Sequence, residues 1–181
     1  MPDRDPLPFD PIGEARRQWS RHGWDAAAPA MAVVTSIMRV QQLLLARADA
    51  ALRPFDLTFA RYEVLMLLSF SSSGALPLGK IGERLQVNPA SVTNAIDRLE
   101  EQDLVERARN PDDGRGTLAR LTEEGRARAA AATDAMNAGV FADLGVGAEG
   151  LDGLFELLRD VRYAAGDFTP GERDAGAARA R

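Results

Sequence analysis

Ser91, Thr93, Asn94 and Arg98 cluster in the stretch VNPASVTNAIDRLEEQDLV, and their side chains offer hydroxyl, amide and guanidinium groups of different reach. At helical spacing Val92, Ala95, Ile96 and Leu99 share one face, which leaves Ala90, Ser91, Thr93, Asn94, Asp97 and Arg98 on the other. Short polar groups stand there in place of the long solvated charges usual on a helix surface, so this face is fitted to approach another molecule closely. The chemistry open to it is recognition. Short donors and acceptors suit base edges in a major groove, which admits a helix, and the methyls of Ala90 or Thr93 suit a thymine methyl. Arg98 can reach a phosphate or a guanine.

Catalysis has little support. The chain has no cysteine, so thiolate nucleophiles, thiolate metal sites and disulfides are excluded. His22 is the single histidine and makes neither a histidine-rich metal centre nor a convincing triad. No phosphate-cradling glycine loop or nucleophile motif is present, and the carboxylates of DRLEEQD read as a solvated helix end. A non-enzyme without cofactor or metal is expected, and no ligand-binding residue is singled out. Gly79-Lys80-Ile81-Gly82 satisfies the GxxG pattern of an RNA-binding loop, but the flanking strands are missing and close helix packing explains the glycines better.

The elements around the stretch must hold it in place. Asn88 is a good N-cap and Pro89 sits at the first helical position, where its missing N–H costs nothing. Val87 and Val92 stand at the spacing of a hydrophobic staple. Upstream, GKIGERL reads as a short helix, LPL as a very short strand, and FARYEVLMLLSF, capped by Thr58, as a central buried helix. A long amphipathic helix from Pro29 to Arg53 precedes it, and an N-terminal arm with a short helical stretch precedes that. Downstream, LVERAR and TLARL are strand-like and are separated by NPDDGRG, whose Pro, Asp and Gly residues demand a turn. Thr122 caps an alanine-rich helix with Glu123 and Glu124 in its first turn, and Leu151, Leu154, Leu158 and Val161 mark a last helix.

Helix, turn, helix and hairpin make a winged helix. Arg107, Arg109, Arg115 and Arg120 fall on or near its hairpin, and Arg115 stands at the glycine-flanked tip DGRG, where a side chain can enter a minor groove. Charge opposes this reading. The whole chain carries a formal net charge of -5. Between Leu78 and Thr122, Lys80, Arg84, Arg98, Arg107, Arg109, Arg115 and Arg120 face eight acidic residues. Placement answers the objection, because Glu100, Glu101 and Asp103 lie at the far end of the second helix from the end that would meet the groove. Affinity per subunit should be modest, and two copies on two half-sites would raise it.

Residues 57 to 127 resemble the winged-helix core of the MarR family of bacterial transcriptional regulators, and the layout of long helices on both sides is also similar. Asp113 and Arg115 match the family's Asp-x-Arg wing element, with Asp113 in a structural role, and Leu121, Thr122 and Gly125 match LT-x-x-G. Gly114 stands where a second wing arginine is frequent, and Asp103 where a helix-ending glycine is common. The resemblance implies an obligate homodimer on a palindromic operator, often released by a small aromatic or phenolic ligand.

The expected fold is mainly α with a small β-hairpin wing, a winged helix-turn-helix core flanked by long helices forming a dimerisation lobe. Residues 1–54 are read as an arm and dimerisation helix, 55–122 as the DNA-binding lobe, 123–167 as C-terminal dimerisation helices and 168–181 as a disordered tail. The apolar stripes of the flanking helices exceed what one small lobe can cover, which independently points to a second copy. The expected function is a sequence-specific transcriptional regulator, a repressor by preference. Its partners are double-stranded DNA through Pro89, Ala90, Ser91, Thr93, Asn94, Arg98, Arg109 and Arg115, a homodimeric partner, and a small aromatic ligand. A winged-helix protein-interaction module that binds no DNA is the alternative, favoured by the acidic balance. No apolar run approaches the roughly 18 to 20 residues that span a bilayer, and no signal-peptide pattern is present. A cytoplasmic location without a membrane partner is therefore expected.

Overall fold

The computed structural model describes residues 6–110 and 116–169. In chain order these form α1 (Pro11–Arg21), α2 (Ala28–Leu52), α3 (Phe59–Ser69), β1 (Ala75–Pro77), α4 (Leu78–Leu85), α5 (Pro89–Glu100), β2 (Val105–Arg109), β3 (Thr117–Leu121), α6 (Glu123–Met136) and α7 (Ala148–Ala164). The mainly helical, winged helix-turn-helix expectation holds, with seven helices and one small sheet among the described residues. The sheet is antiparallel in the order β1-β3-β2, so the strand expected in LPL, found at Ala75–Pro77, joins the hairpin as a third member.

The core gathers around α3. Tyr62, Val64, Leu65 and Leu68 of this helix are buried, as its nearly all-round apolar sequence requires. They pack with Leu52 from α2, Ile81 from α4, Ile96 and Leu99 from α5, and Ala129, Ala132 and Met136 from α6. The alanines of α6 let its backbone approach α2 and α3 closely. The apolar face of α6, one of those that the sequence reading left for a partner, is therefore used inside the protomer. A π-helical turn, Asn137–Phe141, follows α6, and Arg47 of α2 donates to its Gly139 carbonyl at 2.9 Å.

Helix ends are set by local chemistry. Thr58 and Thr122 cap α3 and α6 by accepting from the N–H groups of Arg61 and Gly125. Among the described residues three non-glycine residues have positive φ, Asp56, Gln86 and Asp103, and each ends a helix or helical turn. At Asp103 (φ 58°) the arrangement is a Schellman motif, with Leu104 N–H bonded to the Leu99 carbonyl at 2.9 Å and Asp103 N–H to that of Glu100 at 3.0 Å. It turns the chain from α5 into β2. A Cβ in this conformation is strained, so Asp103→Gly should raise stability by about 0.5 kcal/mol. A lower urea midpoint for the variant would contradict this.

Two compact units divide between Ala142 and Asp143. In the second, α7 has no buried residue. Phe168, read from sequence as the head of the tail, packs at 6.0 Å from the Tyr163 ring, with the Arg159 and Arg162 guanidinium groups 5.6 and 5.4 Å from its own. Residues 170–181 of the expected tail lie outside the described residues.

One sequence expectation is corrected. The stretch Ala28–Phe55 is long and apolar enough to cross a membrane by length and composition, an 18-residue window of it reaching a mean hydropathy of 1.3. No unbroken apolar run exists there because Arg39, Arg47 and Asp49 interrupt it, but alanines and β-branched residues between them keep the average high. Only 6 % of that window is buried, and Val33, Val34, Met38 and Val40 are about half exposed.

Candidate nucleic-acid interface

The α4-turn-α5 unit is built by close packing. Gly82 has no side chain, and a Cβ there would stand 3.2 Å from the Val87 carbonyl oxygen and 3.3 Å from Val92 Cγ2. Gly79 has open space around it. Gly82 therefore serves the approach of α4 to α5, which accounts for the GxxG pattern without an RNA loop. Gln86, in the left-handed conformation, turns the chain between the helices. Asn88 Oδ1 accepts from the Ser91 N–H at 2.9 Å, and Pro89 occupies the first turn as expected. Of the staple pair, Val92 is buried while Val87 remains 42 % exposed.

With Val92, Ile96 and Leu99 fixed in the core, helical geometry determines the outward set. Pro89, Ala90, Ser91, Thr93, Asn94, Asp97 and Arg98 are all exposed. The Thr93 hydroxyl donates to the Pro89 carbonyl at 3.0 Å, which leaves its oxygen lone pairs able to accept. Arg98 pairs with Glu101 at 2.7 Å, and this charge-assisted bond holds its guanidinium pKa above the usual value. Both partners are 61 % exposed, so the pair is weak and free to exchange for another anion.

The sheet supplies the second part. β2 and β3 pair from Val105↔Leu121 to Arg109↔Thr117, and the Asn110 N–H donates to the Gly116 carbonyl at 2.9 Å just beyond. Arg109 ends β2 and is exposed. The tip residues Asp113 and Arg115 lie outside the described residues.

Charge is arranged differently from the sequence count. Arg107 of β2 donates to Asp97 at 2.5 Å and to Glu100, and its own backbone N–H donates to Glu100 Oε1 at 3.2 Å. The bond to Asp97 leads in raising its pKa above the ordinary guanidinium range. Arg120 pairs with Glu106, and Lys80 with Glu83, each at 3.3 Å. Asp97 and Glu100 thus share one cation of the wing strand, Arg107, while the leading half of α5 carries no acidic residue. The sequence reading missed this role for Arg107. Its signal was present in the i, i+3 spacing of Asp97 and Glu100, which puts both carboxylates on one side of α5.

The aromatic side chains Tyr62, Phe55 and Trp24 are engaged in packing. Tyr62 is buried with its hydroxyl 3.1 Å from Thr133 Oγ1, Phe55 packs against the core, and Trp24 stacks on His22 and meets Trp19 edge-on.

This geometry has counterparts. The MarR family model matches residues 57–117. The chain is 51 % identical to Sco5413, a MarR family transcriptional regulator from Streptomyces coelicolor, in a match that covers 78 % of this chain and 99 % of that one with a TM-score of 0.71. A second regulator of the family from Streptomyces coelicolor, Sco3205, solved in complex with DNA, is 28 % identical over 77 % of this chain and 88 % of its own, with a TM-score of 0.64. The HTH-type regulator YhbI of Bacillus subtilis is 37 % identical over 99 residues, which span 53 % of this chain and 63 % of YhbI. A solved relative that is half identical and matched over nearly its whole length shares more than a fold, and the chain belongs to the MarR family of winged helix-turn-helix transcriptional regulators.

Proposed function

We propose that the chain is a homodimeric repressor that binds a pseudo-palindromic operator, with the leading half of α5 in the major groove of each half-site. The observation that carries this reading is the separation along α5. Its exposed N-terminal half presents Ala90, Ser91, Thr93 and Asn94, and its acidic residues are gathered at the other end against Arg107 and Arg98. A groove wide enough for a helix meets short donors, acceptors and methyls before any carboxylate. Arg98 and Arg109, both exposed, serve the phosphate backbone, and Arg115 at the wing tip serves the minor groove. Sco3205, whose structure holds DNA, supports the partner.

A two-fold dimer places two α5 helices about 34 to 36 Å apart, one turn of duplex. The half-exposed residues of α2 and the wholly unburied α7 are the surfaces a second copy would cover. Release by a small aromatic ligand, which the family resemblance implies, completes the regulator reading. Selection of duplex sites from a random pool tests it: enrichment of an inverted repeat whose binding weakens steeply as salt rises supports a DNA reader. No enriched duplex at low salt would favour the protein-interaction module instead.

Asn94→Ala and Thr93→Ala should each relax preference at one base pair by roughly 1 to 3 kcal/mol while binding to unrelated duplex changes little. An unaltered preference profile in the same selection would remove that residue from the reading set.

A further inference from the structure

The proposed reading leaves Arg107 unexplained, because a basic residue on the wing strand of a DNA-binding lobe would ordinarily be free to meet phosphate. Here its guanidinium is turned inward. It is 28 % exposed, against 51 % for Asp97 and 41 % for Glu100. Glu100 is held twice, by the guanidinium and by the Arg107 backbone N–H at 3.2 Å, so one carboxylate grips both the side chain and the main chain of β2. Asp97 lies one turn earlier on α5 and is held by the other terminal nitrogen. Val105, on the same strand, is buried in the shared core, so the clamp sits beside an apolar contact that fixes the same two elements.

We propose that Arg107 is a positioning residue for DNA recognition: it ties α5 to the wing strand and keeps two carboxylates of that helix paired with a cation, so that they repel an approaching duplex less. Without it, Asp97 and Glu100 stand uncompensated on the recognition helix and repel phosphate. The role explains how a lobe without excess positive charge can bind DNA, since what matters is which charges remain uncompensated at the contact. It rests on the DNA-reader assignment.

The test uses the full-length protein and the duplex selected for it, followed by fluorescence anisotropy at several salt concentrations. Arg107→Ala is expected to lose about tenfold in affinity at low salt, with the deficit shrinking as salt screens the exposed carboxylates. Adding Asp97→Asn and Glu100→Gln to that variant should recover most of the loss, which a merely structural role for Arg107 would not allow. Wild-type affinity for Arg107→Ala, or a deficit that is independent of salt and not rescued, would overturn the proposal. If Arg107→Ala does not fold, Asp97→Asn/Glu100→Gln alone decides: with Arg107 released, non-specific duplex affinity should rise and the salt slope steepen by about 1 per subunit. An unchanged slope would again overturn it. Failure of the wild-type protein to bind any duplex removes the DNA-reader reading and this inference together, whereas normal wild-type binding with an unaffected Arg107 variant removes only the inference.

Discussion

Gly125→Ala should lower the thermal midpoint by about 10 °C, the largest effect expected of a methyl group added at any of the described glycines. Gly125 is buried in the first turn of α6, and a Cβ built there stands 2.0 Å from the Leu104 carbonyl oxygen, 2.9 Å from its carbon and 2.9 Å from Leu121 Cδ1. Two of these atoms are backbone. They belong to a junction held by the Thr122 N–H on the same Leu104 oxygen at 3.1 Å, by the Thr122 hydroxyl on the Asp103 carbonyl at 2.7 Å and by the Gly125 N–H on the Thr122 oxygen at 2.9 Å. The methyl cannot be accommodated by a rotamer change, so the α6 start must move away from the base of the wing. Overpacking of this kind costs about 3 kcal/mol, and each kcal/mol shifts the midpoint of a chain this size by roughly 2 to 4 °C. Differential scanning calorimetry reads it directly. A midpoint within about 2 °C of the wild type would mean that the α6 start is far softer than this junction implies.

The second large effect concerns assembly. Met38→Glu and Leu157→Glu should each convert the protein to monomers and weaken operator binding by about 10² to 10⁴-fold, the advantage that tethering two half-site contacts confers. Met38 is 59 % exposed on α2 and Leu157 67 % exposed on α7. In an isolated protomer a glutamate at either position would stand in water and change stability by no more than about 0.5 kcal/mol. The same glutamate in a closed two-fold interface would bring two uncompensated carboxylates out of solvent, once from each copy. Sedimentation equilibrium distinguishes the cases. A wild-type chain that is monomeric at micromolar concentration, or variants that remain dimers, would return these apolar faces to another partner.

Much of the fold is legible in the chain because its signals are local. Asn88, Thr58 and Thr122 act as caps at the helix starts where their side chains can reach a nearby N–H, and no distant residue is needed for that. The inward row Val92, Ile96 and Leu99 follows from a 3.6-residue period and by elimination exposes Ser91, Thr93 and Asn94. Gly82 and Asp103 are legible for the same reason: the atoms they meet, in Val87 and Val92 for the first and in Glu100 for the second, lie within ten residues along the chain.

The sequence by itself determined the order of elements, the exposed leading half of α5 and the absence of thiol chemistry, because each depends on residue type and short-range spacing. Only the tertiary structure decided where the charges go. Arg107 counts as a DNA-facing cation in any tally, yet the meeting of β2 with α5 turns it onto Asp97 and Glu100. The same holds for α6, whose apolar face is satisfied by α2 and α3. Long-range packing sets which groups meet, and the strength of charge and burial depends on that meeting.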